Sequence, residues 1–161
     1  MPLYFAYGSN MVREQMRRRC PGARALGPAV LRDHRFAIIS GGHGTVQPQT
    51  GATVHGVLWQ LGRDDLAALD LYEEVVAGLY RRTHRSVERD SRPVRALVYV
   101  ATTRKPGRAR PGYLAAIIDA ARGFAFPADY VAALEAIART SAGVCPASRS
   151  ARSVSERSRL A

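Results

Sequence analysis

Leu3-Tyr4-Phe5-Ala6-Tyr7-Gly8-Ser9-Asn10 is the stretch on which the reading of this chain turns. Leu3 to Tyr7 is short, aromatic-rich and stopped by Gly8, which predicts a buried strand. Ser9 and Asn10 can each accept a hydrogen bond from first-turn N–H groups, so a capped helix is expected from there to about Arg19. Pro21-Gly22 ends it. The order is strand, tight turn, helix N-terminus. Gly8 lets bare backbone approach a ligand, the N–H groups of a helix start favour an anion, and Ser9 and Asn10 add a hydroxyl and an amide. An ordinary strand-to-helix turn with a capping residue has the same four residues, so the stretch alone leaves both readings open.

Working outward, Val30 to Ser40 reads as a second strand, with Phe36, Ile38 and Ile39 as its apolar part. Gly41-Gly42-His43-Gly44, with Gly51 soon after, reads as a flexible loop rich in Gly and Gln, of the kind that often belongs to a site. Thr53 to Leu61 is a strand broken by Gly62. Arg63 to about Glu73 reads as a short helix, its early Asp64 and Asp65 suited to the positive end of the dipole. Tyr80 to Glu88 is expected as a partly exposed strand. Val94 to Val100 has the continuous apolar run of a strand covered on both faces. After a basic Pro/Gly loop, Thr102 to Pro111, Gly112 to Gly123 reads as a helix with Leu114, Ile117, Ile118 and Ala121 on one stripe. Pro127 suits the first turn of a last helix with Val131, Leu134 and Ile137 on its apolar face. Strands come first and helices mostly last. The class is α+β, with a mixed, barrel-like sheet and helices packed outside it.

The 161 residues argue for one domain, 1–140, followed by a basic Ser/Arg-rich tail, 141–161, with too little apolar content to order itself. Hydrophobic residues make up 47% and charged residues 23%, a soluble globular composition. The formal charge is +11, and Pro146 to Ala161 supply Arg149, Arg152, Arg157 and Arg159 against Glu156. Such a balance is that of a solvated basic surface, or of an attraction for an acidic partner. The aromatic interleaving of a single-strand binder is missing, and nucleic acid is not the expected partner. Cys20 and Cys145 stand far apart and outside any CxxC, so both are read as reduced, as in a cytoplasmic protein. No stretch approaches the length of a membrane span. His34, His43, His55 and His84 lack the close pairing of a zinc site, and no metal is expected. Ser9 has no Ser/His/Asp partner set.

Glu73, in Leu69-Asp70-Leu71-Tyr72-Glu73-Glu74-Val75, reads by itself as solvated surface at a helix end. With its neighbours it takes on another meaning. Phe5-Ala6-Tyr7-Gly8-Ser9-Asn10, then Gly56-Val57-Leu58-Trp59, then Leu69-Asp70 with Glu73 and Val75, then Gly78-Leu79-Tyr80, resemble in order and spacing the γ-glutamyl cyclotransferase family, also called AIG2-like or BtrG-like. The resemblance continues through Tyr99 and Pro111-Gly112-Tyr113 and covers about Pro2 to Ala138. One position departs from the pattern: Glu74 stands where these proteins usually have glycine. If that glycine serves a backbone angle or a close approach, Glu74 alters specificity. Two adjacent carboxylates also repel, which raises the pKa of one or both.

The resemblance implies an intramolecular reaction without cofactor. The α-amine of a γ-glutamyl group attacks its own γ-carbonyl, 5-oxoproline closes, and an amine or amino acid leaves. It implies Glu73 as the general acid/base, a role typically contributing roughly 10²–10⁴-fold. Tyr7, Gly8, Ser9 and Asn10 would hold the folded substrate. A backbone N–H of the same loop would stabilise the developing oxyanion, on the order of 3 kcal/mol. Tyr80, Tyr99 and Tyr113 are further substrate-binding candidates, as pocket wall or phenolic donors, or else plain aromatic core. The leaving-group side is expected from the Gly41–Gly51 and Thr102–Pro111 loops. The basic balance also fits a non-catalytic binding protein on the same fold, with a surface for nucleic acid or another acidic partner.

Overall fold

The computed structural model describes residues 1–142; most of the expected tail, and Cys145, lie outside them. Five strands close into a barrel in the order β1-β3-β2-β4-β5, and four helices lie outside it. Strands β1 (Leu3–Ala6) and β3 (Gly44–Gln60) run antiparallel, with Phe5 opposite Leu58. β2 (Arg24–Ile38) pairs antiparallel with β3 and, at Val30↔Glu88, with β4 (Tyr80–Arg89). β4 pairs along its length with β5 (Arg92–Ala101), and β5 meets β1 in parallel at Tyr4↔Leu97. That single parallel seam makes the sheet mixed, as expected.

Residues on both faces of the barrel wall are covered, with Phe5, Val54, Val57 and Val98 fully buried. At Gly56 two strands approach so closely that a Cβ would meet the Ala6 carbonyl oxygen at 2.4 Å and a Phe5 ring carbon at 2.5 Å. The glycine of Gly56-Val57-Leu58-Trp59 is therefore a packing requirement of the β1–β3 pair. In β5, Ala96 to Tyr99 are all buried, the two-sided cover its apolar run foretold.

Three expectations are corrected. The helix does not start at Ser9 or Asn10: a single 3₁₀ turn, Ser9–Met11, precedes α1 (Arg13–Arg19), and neither side chain caps it. Both are drawn into longer-range bonds described below. The Gly41–Gly51 loop is mostly strand. Residues 40–43 form the turn, and Gly44 onward continues β3 opposite β2, from Ile38↔Gly44 to His34↔Pro48. β2 also begins earlier, at Arg24. Register shifts between Ala25 and Gly27 and between Arg32 and His34 absorb residues that read as breakers.

Helix α2 (Asp65–Tyr72) is anchored by Leu69, which is fully buried. Helix α3 (Tyr113–Gly123) packs over the turn after β1, and α4 (Ala128–Ala142) packs on α3. No helix among the described residues is long and apolar enough to cross a membrane.

Candidate active site

The open end of the barrel at the end of β1 holds a cavity of about 360 Å³. Tyr7, Gly8, Ser9, Asn10, Glu73, Tyr80, Tyr99 and Tyr113, the residues singled out in the sequence, all line it. They come from the turn after β1, the end of α2, β4, β5 and the start of α3.

Glu73 follows the last residue of α2, and its N–H donates to the Leu69 carbonyl at 2.8 Å. Its side chain turns inward, where Asn10 Nδ2 donates to Oε1 at 3.0 Å. Burial pushes its pKa up to about 7; the Arg19 guanidinium and the Asn10 hydrogen bond pull the other way. The negative end of α2 acts in the same sense as burial. Repulsion from Glu74 is not what sets this value: burial raises it, and the groups that act on it besides are Arg19 and Asn10.

The turn that carries Gly8 to Asn10 uses the N–H groups of Met11 and Val12, bonded to Gly8 and Ser9 carbonyls at 3.0 Å. The N–H groups of Ser9 and Asn10 lie outside that ladder. The Asn10 side chain is buried, and its Nδ2 also donates to the Tyr4 hydroxyl at 2.9 Å. Its whole amide is thus engaged with the protein, and its contribution is to hold Glu73.

The phenols divide by where their protons go. Tyr7 donates to the Tyr99 carbonyl at 2.6 Å and Tyr80 to the Gly44 carbonyl at 2.6 Å. Tyr99 donates to Asp70 Oδ1 at 2.7 Å, and Asp70 is paired with Arg82 at 2.7 Å. This gives Asp70 of the Leu69-Asp70 pair its role: it fixes the cavity wall. Tyr113 instead accepts from the Gly44 N–H at 2.9 Å, which leaves its own proton for a ligand. Its oxygen lies 2.9 Å from where a Cβ on Gly8 would be, so a side chain at Gly8 would displace the Tyr113 hydroxyl. Burial raises the pKa of Tyr7, Tyr80, Tyr99 and Tyr113 well clear of neutrality, so each stays a neutral donor.

Sequence reasoning missed Tyr4, Tyr72, Ser40, His43 and Arg110, which also line the cavity. His43 and Arg110 fall within the two segments expected at the leaving-group side. Arg110 Nε donates to the Gly41 carbonyl at 2.8 Å, tying the two turns together at the mouth. The pKa of His43 is lowered by burial, then by Arg110, with Glu74 opposing. Cys20 is no nucleophile here: burial, with Asp65 nearby, pushes its thiol up to about 12.

Glu74 explains the glycine it replaces. Val75 N–H bonds to the Asp70 carbonyl at 3.0 Å and Glu74 N–H to the Leu71 carbonyl at 3.2 Å, the paired bonds of a Schellman helix end. Glu74 occupies the left-handed position of that motif, with φ +50°. An L-residue there is strained by roughly 1–2 kcal/mol, partly offset by the greater unfolded-state entropy of glycine. Glu74→Gly is therefore expected to raise unfolding stability by about 0.5–1 kcal/mol in urea titration. A loss of stability would mean that the Glu74 side chain makes a compensating contact.

Residues 4–115 match the family model described as "Gamma-glutamyl cyclotransferase, AIG2-like". The γ-glutamylcyclotransferases of Mus musculus and Homo sapiens are each 29% identical over 146 residues, covering 84% of this chain and 78% of theirs. A solved structure described as a γ-glutamyl cyclotransferase superposes with a TM-score of 0.79 at 27% identity, covering 84% of this chain and 86% of that one. With the barrel, the family match and these relatives in agreement, the chain belongs to the γ-glutamyl cyclotransferase, AIG2-like family and is an enzyme of that type.

Proposed function

We infer that the chain converts a γ-glutamyl compound to 5-oxoproline and a free amine or amino acid, with Glu73 moving the proton. The observation that carries this reading is a carboxyl group with a pKa of about 7 in a tyrosine-walled cavity, beside the turn of Gly8 to Asn10. The substrate α-amine is largely protonated at neutral pH, since such groups have pKa values of about 8. Glu73 takes one ammonium proton, which frees the nitrogen lone pair. That nitrogen attacks the γ-carbonyl carbon, and the new C–N bond closes a five-membered ring. As the bond to the original γ-amide nitrogen breaks, Glu73 returns the proton to it, and the second proton that the ring nitrogen sheds in becoming the lactam N–H also ends on the freed amine, which leaves as an ammonium. No proton is gained or lost overall, and no enzyme nucleophile takes part.

The geometry supports the following division of the remaining tasks. The Ser9 and Asn10 N–H groups suit the substrate carboxylate or the oxyanion. Tyr113, with its proton uncommitted, is the phenolic donor. Tyr7, Tyr80 and Tyr99 form the wall. The Gly41–His43 turn and Arg110 face the leaving group. The cavity volume is near the lower end of the range of about 300–1,000 Å³ usual for small-ligand sites, which favours a dipeptide-sized substrate.

The test is release of 5-oxoproline from a panel of γ-glutamyl amino acids and γ-glutamylamines. Below about pH 7 Glu73 is protonated in the free enzyme and cannot accept a proton. The kcat/KM profile is therefore expected to fall on the acid side with a midpoint near 7. A panel yielding no 5-oxoproline, or a profile flat between pH 5 and 8 as roughly the span over which such a group titrates, would overturn the reading.

A further inference from the structure

Arg19, the last residue of α1, joins the two segments that make the site. One guanidinium nitrogen donates to Ser9 Oγ at 3.2 Å and to Asn10 Oδ1; the other donates to Gln15 Oε1 at 2.8 Å. Its plane lies over the Tyr72 ring, 3.6 Å from the centroid. One side chain thus touches the turn after β1 and the residue that precedes Glu73. A guanidinium only donates, so the Asn10 atom that faces it must be the carbonyl oxygen. The Asn10 NH₂ group is then turned the other way, toward Tyr4 and Glu73, 2.9 and 3.0 Å away.

We propose that Arg19 is a positioning residue for the acid/base group: its planar fork fixes which way the Asn10 amide points and, through it and Tyr72, where the Glu73 carboxylate stands. This rests on the reading of Glu73 as the proton carrier. Lysine could not substitute fully, because an ammonium has no flat face for Tyr72 and no fork to span Ser9, Asn10 and Gln15. Arg19 also has an electrostatic effect. Around Glu73 stand neutral phenols, Tyr4 from β1, Tyr7 from the turn after it, Tyr80 from β4, Tyr99 from β5 and Tyr113 from α3; Glu74, His43 and Arg110 stand farther along the cavity wall. The charge that favours the ionised carboxylate against its burial is that of Arg19.

Two variants test this, in the full-length protein. Arg19→Met keeps the stem and removes the fork and the charge. The acid limb of kcat/KM is expected to move up by about half a pH unit or more. The Glu73 δ-carbon, followed by NMR without substrate, should titrate higher by the same amount. Arg19→Lys keeps the charge and serves even if Arg19→Met fails to fold. It should leave the acid limb near that of the parent, while kcat drops by about tenfold or more from misplacement and KM moves less. Unchanged Glu73 titration in Arg19→Met, or a parental kcat in Arg19→Lys, overturns the proposal. The NMR titration needs no turnover. If the parent protein makes no 5-oxoproline, the functional reading fails while the titration still decides the role of Arg19.

Discussion

Glu73→Gln is expected to abolish 5-oxoproline release and, at the same time, to make the protein more stable at alkaline pH. The amide keeps the shape and an oxygen for the Asn10 donor, so the cavity wall stays in place. It cannot carry a proton between the two nitrogens, and a loss of roughly 10²–10⁴-fold follows. The stability effect comes from the raised pKa. The folded state binds the Glu73 proton more tightly than the unfolded chain does, from 4.5 up to about 7. Stability is therefore highest below the unfolded value and declines as pH rises through 7. A gap of that size corresponds to about 3 kcal/mol at pH 8 in the limit, less with partial exposure. Urea unfolding of parent and variant should nearly coincide at low pH, about 4.5, and separate at about pH 8, with the variant the more stable. Retained turnover in Glu73→Gln would sink the assignment of the proton carrier.

Gly56→Ala is expected to have the largest effect on folding. Its new methyl would sit 2.4 Å from the Ala6 carbonyl oxygen and 2.5 Å from the Phe5 ring. Neither can yield easily: one is backbone in a paired strand, the other a fully buried ring. Overpacking of this kind costs about 3 kcal/mol, at the upper end of its usual range. Because β1 carries the turn of Gly8 to Asn10, the same displacement should reduce activity in whatever fraction stays folded. Unfolding within about 0.5 kcal/mol of the parent, the range of a neutral surface change, would show that β1 can move aside.

Much of this was legible locally. An apolar run halted by Gly8 is a local event, and β1 and its turn lie where the residues put them. The continuous run in β5 is legible for the same reason. What went astray depended on distant partners. Gly44 to Gly51 look like loop because Gly and Gln pack little surface, yet backbone pairing with β2 makes them strand. Ser9 and Asn10 look like caps because their side chains can bond to a helix start. Here Arg19 and Glu73 outcompete it, and nothing in four residues reveals a guanidinium ten positions away. Glu73 alone reads as surface; the spacing of the family-like segments around it brought it out. Arg19 was hidden in the run Arg17-Arg18-Arg19, where the third bonds to the turn after β1.

The parallel seam between β1 and β5 has a temporal consequence. Tyr7 is made well before Tyr99, yet its hydroxyl bonds to the Tyr99 carbonyl 92 positions later. β1 has no second neighbour until β5 emerges, and closure over so long a stretch is entropically slow. During synthesis β1 must wait with one edge unpaired, held by β3 on the other, until β5 forms. The cavity comes into being in the same step that seals the barrel. A nascent chain that has not yet reached β5 carries most of the residues of the site without the closed wall that gathers them.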